Sequence, residues 1–236
     1  NGYAEVVLSG VDMTSYGADL PGAPRLGKLV KTILRQVPDV RRLRLSSIDS
    51  IEADEDLLEA VATEARLMPH LHLSLQSGDD MILKRMKRRH LRADAVELVA
   101  RLKAKRPDIA VGADLIAGFP TESEAHHAEN LSIIDALDIV HAHVFPYSPR
   151  PGTPAARMPQ VPRDIVKQRA AALRARAATR RAAWLASLVG ETLAVLAERD
   201  GTGYAPSYAR VAVPEGTAAG TVIDVTVREF REGMLQ

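Results

Sequence analysis

The chain has 236 residues, a formal net charge of +1, 46% hydrophobic residues and no cysteine. That length suits one large domain with a small one, or a single barrel, and the near-neutral charge confines any nucleic-acid surface to local patches. The composition excludes disulfides, thiolate metal sites and cysteine nucleophiles, and no apolar run is long enough to cross a bilayer.

The opening stretch, "NGYAEVVLSG", enters a strand almost at once, without an initiating Met or a cap, and so reads as a piece of a longer protein. No charged-then-apolar leader precedes it, and a cytoplasmic location is expected. The next 145 or so residues alternate strand and helix. Strand patterns fall at 5–8, 42–46, 71–75, 110–116 and 139–145. Between them, 26–36, 54–68, 94–105 and 122–137 carry apolar residues at helical spacing, and the basic run after Gly78 reads as one more helix. This alternation predicts parallel strands joined by right-handed crossovers, as an open or partial barrel rather than a full eight-stranded one. Six prolines between Pro146 and Pro162 forbid regular structure there, and a long Ala/Arg helix follows from about Asp164 to Leu188, ended by Gly190. The tail breaks into short β-rich runs separated by Gly and Pro, the pattern of a small antiparallel barrel of roughly five strands. The fold class is therefore α/β, a partial (βα) barrel over 1–162, a connecting basic helix over 163–189 and a small all-β barrel over 190–236.

Side chains alternate along a strand. Leu71, Leu73 and Leu75 share one face of their strand, and His72, Ser74 and Gln76 the other. Arg42, Arg44 and Ser46, then Gly112 and Asp114, then His141 and His143 repeat the split on three further strands. The apolar faces must meet the helices, so the polar faces line the interior. A barrel built for stability alone fills its interior with branched apolar residues, and buried polar groups are costly without partners. The interior is therefore expected to be a ligand cavity, or else a mutually hydrogen-bonded polar plug. The strand–turn–helix junctions agree: Thr121 and Glu124 form a T-x-x-E capping pattern, Ser77 or Asp79 is placed to cap the next helix, and Gly118 allows backbone to approach a ligand.

His70-x-His72 and His141-x-His143 have the spacing of metal-ligand pairs on one strand face. No strand-end carboxylate pair completes the set, so both pairs read as pocket-lining or structural and no metal is expected. Residues 84–92, "KRMKRRHLR", hold six Lys or Arg in nine, and the long helix carries seven against the single acid Asp164. Such clustering in a near-neutral chain points to phosphate contacts, with solvated helix faces as the alternative.

The segments "LSGVDMTSYG", "RLRLSSID", "MPHLHLSLQSGDDMILKRMKRRH", "GADLIAGFPTE" and "HVFPYSPRPGTPAARMP" resemble successive motifs of the radical S-adenosylmethionine methylthiotransferases. They are most similar to the branch that modifies threonylcarbamoyladenosine in tRNA, and less so to the isopentenyladenosine and ribosomal-protein branches. The tail resembles the TRAM domain, a small RNA-binding β-barrel. The resemblance implies a tRNA-modifying enzyme with S-adenosylmethionine and 4Fe–4S clusters as cofactors and tRNA, not DNA or a membrane, as partner. In this family a C-x-x-x-C-x-x-C loop holds the radical-generating cluster. This chain has no cysteine, so the cluster belongs to an intact parent and the chain alone is expected to be inactive. Residue by residue, the resemblance implies cofactor contacts at Ser9, Gly10, Val11, Asp12, Ser46, Ser47, Gln76, Ser77, Asp114 and Gly118. It implies substrate contacts at Tyr147, Ser148 and Arg150, with Arg85 and Arg88 on the phosphate-facing run. A cluster-free RNA-binding module and a His-based metallohydrolase barrel are the competing readings.

Overall fold

The computed structural model describes residues 2–10, 12–13, 15–50 and 53–236. Its first part is a parallel sheet with helices on one face. Strand β1 (Glu5–Leu8) pairs in parallel with β2 (Arg42–Leu45). After one residue the chain resumes as β3 (Ser47–Ile48), which opens a second parallel sheet with β4 (His70–Gln76), β5 (Ala110–Ala117) and β6 (Ile139–Pro146) in that order. A bridge from Leu43 to Leu67 joins β2 to the approach of β4, so the two sheets form one curved surface interrupted at Ser46. Five strand units in parallel with crossover helices is the partial barrel that the alternation predicts.

Helices α1 (Leu26–Gln36), α2 (Glu55–Thr63), α3 (Asp80–Arg85), α4 (Arg92–Lys105) and α5 (Glu124–Ala136) occupy the crossovers. They bury the apolar strand face. Leu43, Leu71, Leu73, Leu75, Val111, Ala113 and Leu115 share one core with Val30, Leu57, Leu98 and Ile133. Asp54 organises the first pair: it caps α2 by accepting from Leu57 N at 2.9 Å and also accepts from Gly27 N at 3.1 Å. A side chain at position 27 would meet Leu57 N at 2.1 Å, so Gly27 lets α1 and α2 touch through their backbones.

Three boundaries differ from the sequence pattern, each for a local reason. Helix α2 stops at Thr63 because the next residues bond to β2 instead: Leu43 N donates to Arg66 O and Met68 N to Leu43 O. The basic run is not one helix. Helix α3 ends at Arg85, Lys87 adopts φ +59°, and His90 is buried before α4 begins. Thr121 cannot cap α5, because its φ of +66° is incompatible with the extended backbone of a cap; Ser123 does so, accepting from His126 N at 3.3 Å. Of the two candidates before α3, Asp79 is the cap.

Helix α6 (Arg163–Ser187) belongs to both halves of the chain. Ala170, Leu173 and Ala177 pack in the first core, while Leu185, with Trp184 and Leu188, packs in a second. That second core lies within a small sheet ordered β10-β7-β8-β9-β12-β11, made of β7 (Thr192–Ala197), β8 (Thr202–Tyr204), β9 (Arg210–Ala212), β10 (Val222–Thr226), β11 (Phe230–Arg231) and β12 (Met234–Leu235). Its pairs are antiparallel except β9–β12, which is parallel. Only Val227–Glu229 separates β10 from β11, so one bent segment pairs with β7 at its start and with β12 at its end. Among the described residues no helix is long and apolar enough to cross a membrane.

Gly118 is held by packing against the long helix. At φ +72° it lies against α6, and an added Cβ would sit 2.5 Å from Val166 Cγ2. Gly118→Ala should therefore destabilise the fold by about 2 kcal/mol through strain and overpacking. In urea unfolding, a Gly118→Ala/Val166→Ala cycle should show a coupling that relieves part of that loss, whereas purely additive effects would refute the contact.

Candidate functional site

The polar strand faces do converge. Arg44, Ser46, Ser47, His70, His72, Asp114, His141 and His143 line one cavity of about 590 Å³ inside the curve of the sheet. A second, of about 520 Å³, opens at the C-terminal strand ends and is lined by Gln76, Asp114, Ile116, Phe145, Tyr147, Ser148 and Arg150 among others. Asp114 lines both. Its Oδ1 accepts from His72 Nε2 at 3.0 Å and from His143 Nδ1 at 3.2 Å, so three neighbouring strands meet at one carboxylate. Burial pushes the Asp114 carboxyl up, but the hydrogen bonds and charge of His72 and His143 outweigh it and hold the group below the usual carboxylate range.

The foot of the larger cavity is closed by the small sheet. Tyr204, Tyr208 and Arg210 line it together with Arg181 from α6. Tyr208 takes φ +70° and stacks on His70 at 5.0 Å and on Tyr204 at 4.9 Å. The buried Arg44 guanidinium lies 4.5 Å over the Tyr208 ring, donates to Pro206 O at 2.9 Å, and grips both oxygens of Glu5 at 3.1 and 3.0 Å. Arg42 Nε stands 2.8 Å from the same carboxylate as an ion pair without hydrogen-bond alignment, and its other nitrogens donate to Ala194 O and Tyr204 O. His141 receives Arg181 Nη1 at 2.8 Å on Nδ1 and faces Ser207 O through Nε2 at 3.2 Å. Arginine only donates, so His141 is the neutral tautomer protonated on Nε2.

The sequence-predicted residues divide into groups. Ser46, Ser47 and Asp114 face the larger cavity, and Gln76, Asp114, Tyr147, Ser148 and Arg150 come together at the upper one. Gln76 sits at φ +69°, a left-handed turn that aims the end of β4. Ser77 is buried and accepts from Asp79 N, forming the turn rather than a pocket wall. Ser9, Gly10 and Asp12 are exposed after β1 and line neither cavity; Asp12 accepts from Ser15 N at 3.3 Å. Val11 lies outside the described residues. Arg85 is exposed, with a long 3.4 Å contact to Thr121 O. Arg88 is half-buried and donates to Asp49 Oδ2 and Ser74 O.

Several arginines of the long helix are likewise engaged within the chain. Arg169 is buried against Glu122 and Glu124, Arg174 donates to Val144 O, Arg176 to Asp135 and Arg180 to Asp138. These arginines fasten α6 to the barrel. Sequence reasoning missed Glu5, Arg181, Tyr204, Tyr208 and Arg210. Only the alternation of Glu5 with Val6 and Leu8, which pack against the helix-side core, hinted at an inward role, and nothing in the tail's sequence shows that its tyrosines reach another unit.

A parallel sheet, helical on one face and polar with ligand-sized cavities on the other, defines an α/β barrel-type binding fold with a small β unit attached. A sequence model of the radical SAM superfamily matches residues 1–132, more than half of the chain, and the chain belongs to that superfamily. It is 43% identical over 235 residues to the threonylcarbamoyladenosine tRNA methylthiotransferase of Rickettsia prowazekii, covering 100% of this chain and 56% of that protein. Its likeness to the protein of the same name from Thermotoga maritima is 37% over 198 residues, 84% of this chain and 45% of that one. The tRNA-2-methylthio-N(6)-dimethylallyladenosine synthase of Erythrobacter litoralis is 38% identical over 203 residues, 85% and 45%. The chain thus spans about half the length of the curated relatives it matches.

The buried histidines give the foot of the barrel a definite acid response. Burial lowers His70 from 6.5 to about 2, with His141 and Arg44 adding to it. Burial and then Arg181 lower His141 from 6.5 to about 4. Both pack as neutral rings, whereas the unfolded chain protonates them below pH 6.5. The stability they support is present above that pH and is lost as the medium is acidified, through about 4 for His141 and further for His70. Melting temperature should fall over this range, and His141→Gln should flatten the fall while lowering stability at neutral pH. An unchanged slope in the variant would refute the assignment.

Proposed function

We propose that the chain is the barrel and RNA-gripping portion of a tRNA methylthiotransferase. In this reading the parent enzyme uses radical S-adenosylmethionine chemistry to place a methylthio group on C2 of N6-threonylcarbamoyladenosine at position 37 of tRNA. The observation that carries the reading is the upper pocket in a chain matched end to end by a relative of that name. Parallel barrels take their ligands at the C-terminal strand ends, where this pocket lies. The sister specificity for dimethylallyladenosine is the second reading, favoured by relatives of that name at similar identity.

The residues present fit one cofactor and not the other. Iron–sulfur clusters are held by cysteine thiolates, and the chain has none; no step through a cluster belongs to these 236 residues. S-adenosylmethionine is different. Asp114 and Gln76 offer acceptors for ribose hydroxyls, Phe145 and Tyr147 offer apolar surface for the adenine, and Ser148 and Arg150 offer donors. Bound there, the cofactor supplies the adenosyl group and the methyl group of the family's chemistry. Ser46 and Ser47, which face the adjoining cavity, and the exposed Ser9, Gly10 and Asp12 after β1 stand outside this pocket, and in this reading they meet the cofactor from that side.

We read 1–162 as the barrel, 163–189 as the connecting helix and 190–236 as a closed five-stranded TRAM-like barrel. The bent segment of β10 and β11, which pairs at both ends of the sheet, supports the last of these. The exposed Lys84, Arg85 and Lys87, with Arg163 and Lys167 on α6, carry the proposed phosphate contacts.

Ligand-observed NMR on the 236-residue chain should detect S-adenosylmethionine binding that Gln76→Ala and Tyr147→Ala each weaken about tenfold. Absence of binding, or indifference to both changes, would overturn the cofactor assignment. For tRNA, Arg85→Glu should weaken binding and reduce the salt dependence by about one phosphate contact. Arg88→Glu should instead lower the melting temperature, since its partners are Asp49 and Ser74 O.

A further inference from the structure

We infer that His72, Asp114 and His143 form a binding site for one late first-row divalent cation, of which Zn²⁺ is the representative. Along either strand the histidine pairs lack a carboxylate. Across strands they do not: one histidine from each pair meets Asp114 on the strand between them. The ligand atoms of the three residues lie within 4.8 Å of one another, with Asp114 Oδ1 at 3.0 Å from His72 Nε2 and 3.2 Å from His143 Nδ1. Two donors on a zinc ion at bond lengths near 2.1 Å stand about 3.0 to 3.4 Å apart, so both Asp114–histidine spacings are those of donors sharing one metal, and the two ring nitrogens lie within 4.8 Å of each other.

The sheet register produces the convergence. Asp114 is the direct partner of His143 on β6, and His72 is paired with Gly112, two residues before Asp114 on the same face of β5. Gly112 makes room: a Cβ there would lie 2.4 Å from His72 Nδ1, so any side chain would drive the ring away from Asp114. Asp114 is also the sole carboxylate among the described residues lining the larger cavity. The three arginines of that lining have partners other than Asp114: Arg44 meets Glu5, Arg210 meets Asp200 and Arg181 donates to His141 Nδ1. Two imidazoles and one carboxylate suit zinc and its neighbours. The remaining coordination positions open on the cavity, where water or a small anion completes the shell. The metal takes the place of the protons now shared between Asp114 and the two rings and cross-braces β4, β5 and β6.

The test is metal binding by the purified, untagged 236-residue chain, whose lack of cysteine keeps iron–sulfur chemistry out of the measurement. Equilibrium dialysis should give one equivalent of Zn²⁺, and Co²⁺ in its place should give a visible d–d absorption band. Asp114→Asn, nearly isosteric, and His143→Gln, at a mostly exposed side chain, should each abolish the equivalent and the band with near-ultraviolet circular dichroism unchanged. His70→Ala and His141→Ala, in the same cavity but outside the triad, should retain the band. Absence of a bound equivalent would overturn the site. So would binding that survives Asp114→Asn and His143→Gln, or binding lost with His126→Gln on α5.

Discussion

One buried cation holds this architecture together. Arg44 is among the largest fully buried side chains, and a charge in that position is tolerable only when paired and hydrogen-bonded. Glu5 on β1 supplies the pairing, Pro206 O a further acceptor, and Tyr208 an aromatic face. Edge strand, second strand and small β unit are thus tied at one guanidinium. Arg42 doubles the tie by sharing Glu5 and reaching Ala194 and Tyr204. Removing Glu5 would leave two buried guanidinium groups without their carboxylate, which is why Glu5, Arg42 and Arg44 act as a unit rather than as separate contacts.

With its foot closed this way, the interior is divided rather than open from end to end. The small unit seals one end with Tyr204 and Tyr208, and the other end remains a pocket at the strand termini. Asp114 stands between the two. Because it accepts from histidines on both flanking strands, the partition is held from three strands at once. The interior is both things that the alternation of residues allowed, a hydrogen-bonded polar network and a cavity, because the network occupies only the middle layer.

The arginines of α6 show how charge can mislead when read along one dimension. Arg169, Arg176 and Arg180 each meet a carboxylate from the α5 region or the turn after it. The helix is basic because the surface it packs on is acidic, and the near-zero net charge of the chain already contains that complementarity. Arg88 is the same case on a smaller scale. It joins buried His90, whose ring nitrogens stand 3.1 Å from Asp49 Oδ1 and 3.0 Å from Leu75 O, in pinning the loop after β3.

The sequence by itself determined the strand–helix order of the barrel part, the starts of β1, β2, β4, β5 and β6 to within a residue, and which face of four of those strands turns inward. Those follow from periodicity of two and of 3.6, which are local properties of the chain. It also marked Ser46, Gln76 and Asp114 as inward-facing, because side-chain alternation survives any tertiary arrangement. Only the tertiary structure decided that Gly118 answers to Val166, that the tail's tyrosines close the barrel, and that one histidine of each pair meets Asp114. Each of these depends on which strands become neighbours, at what register and against which helix. That information lies in contacts between residues far apart in the chain and in no local pattern.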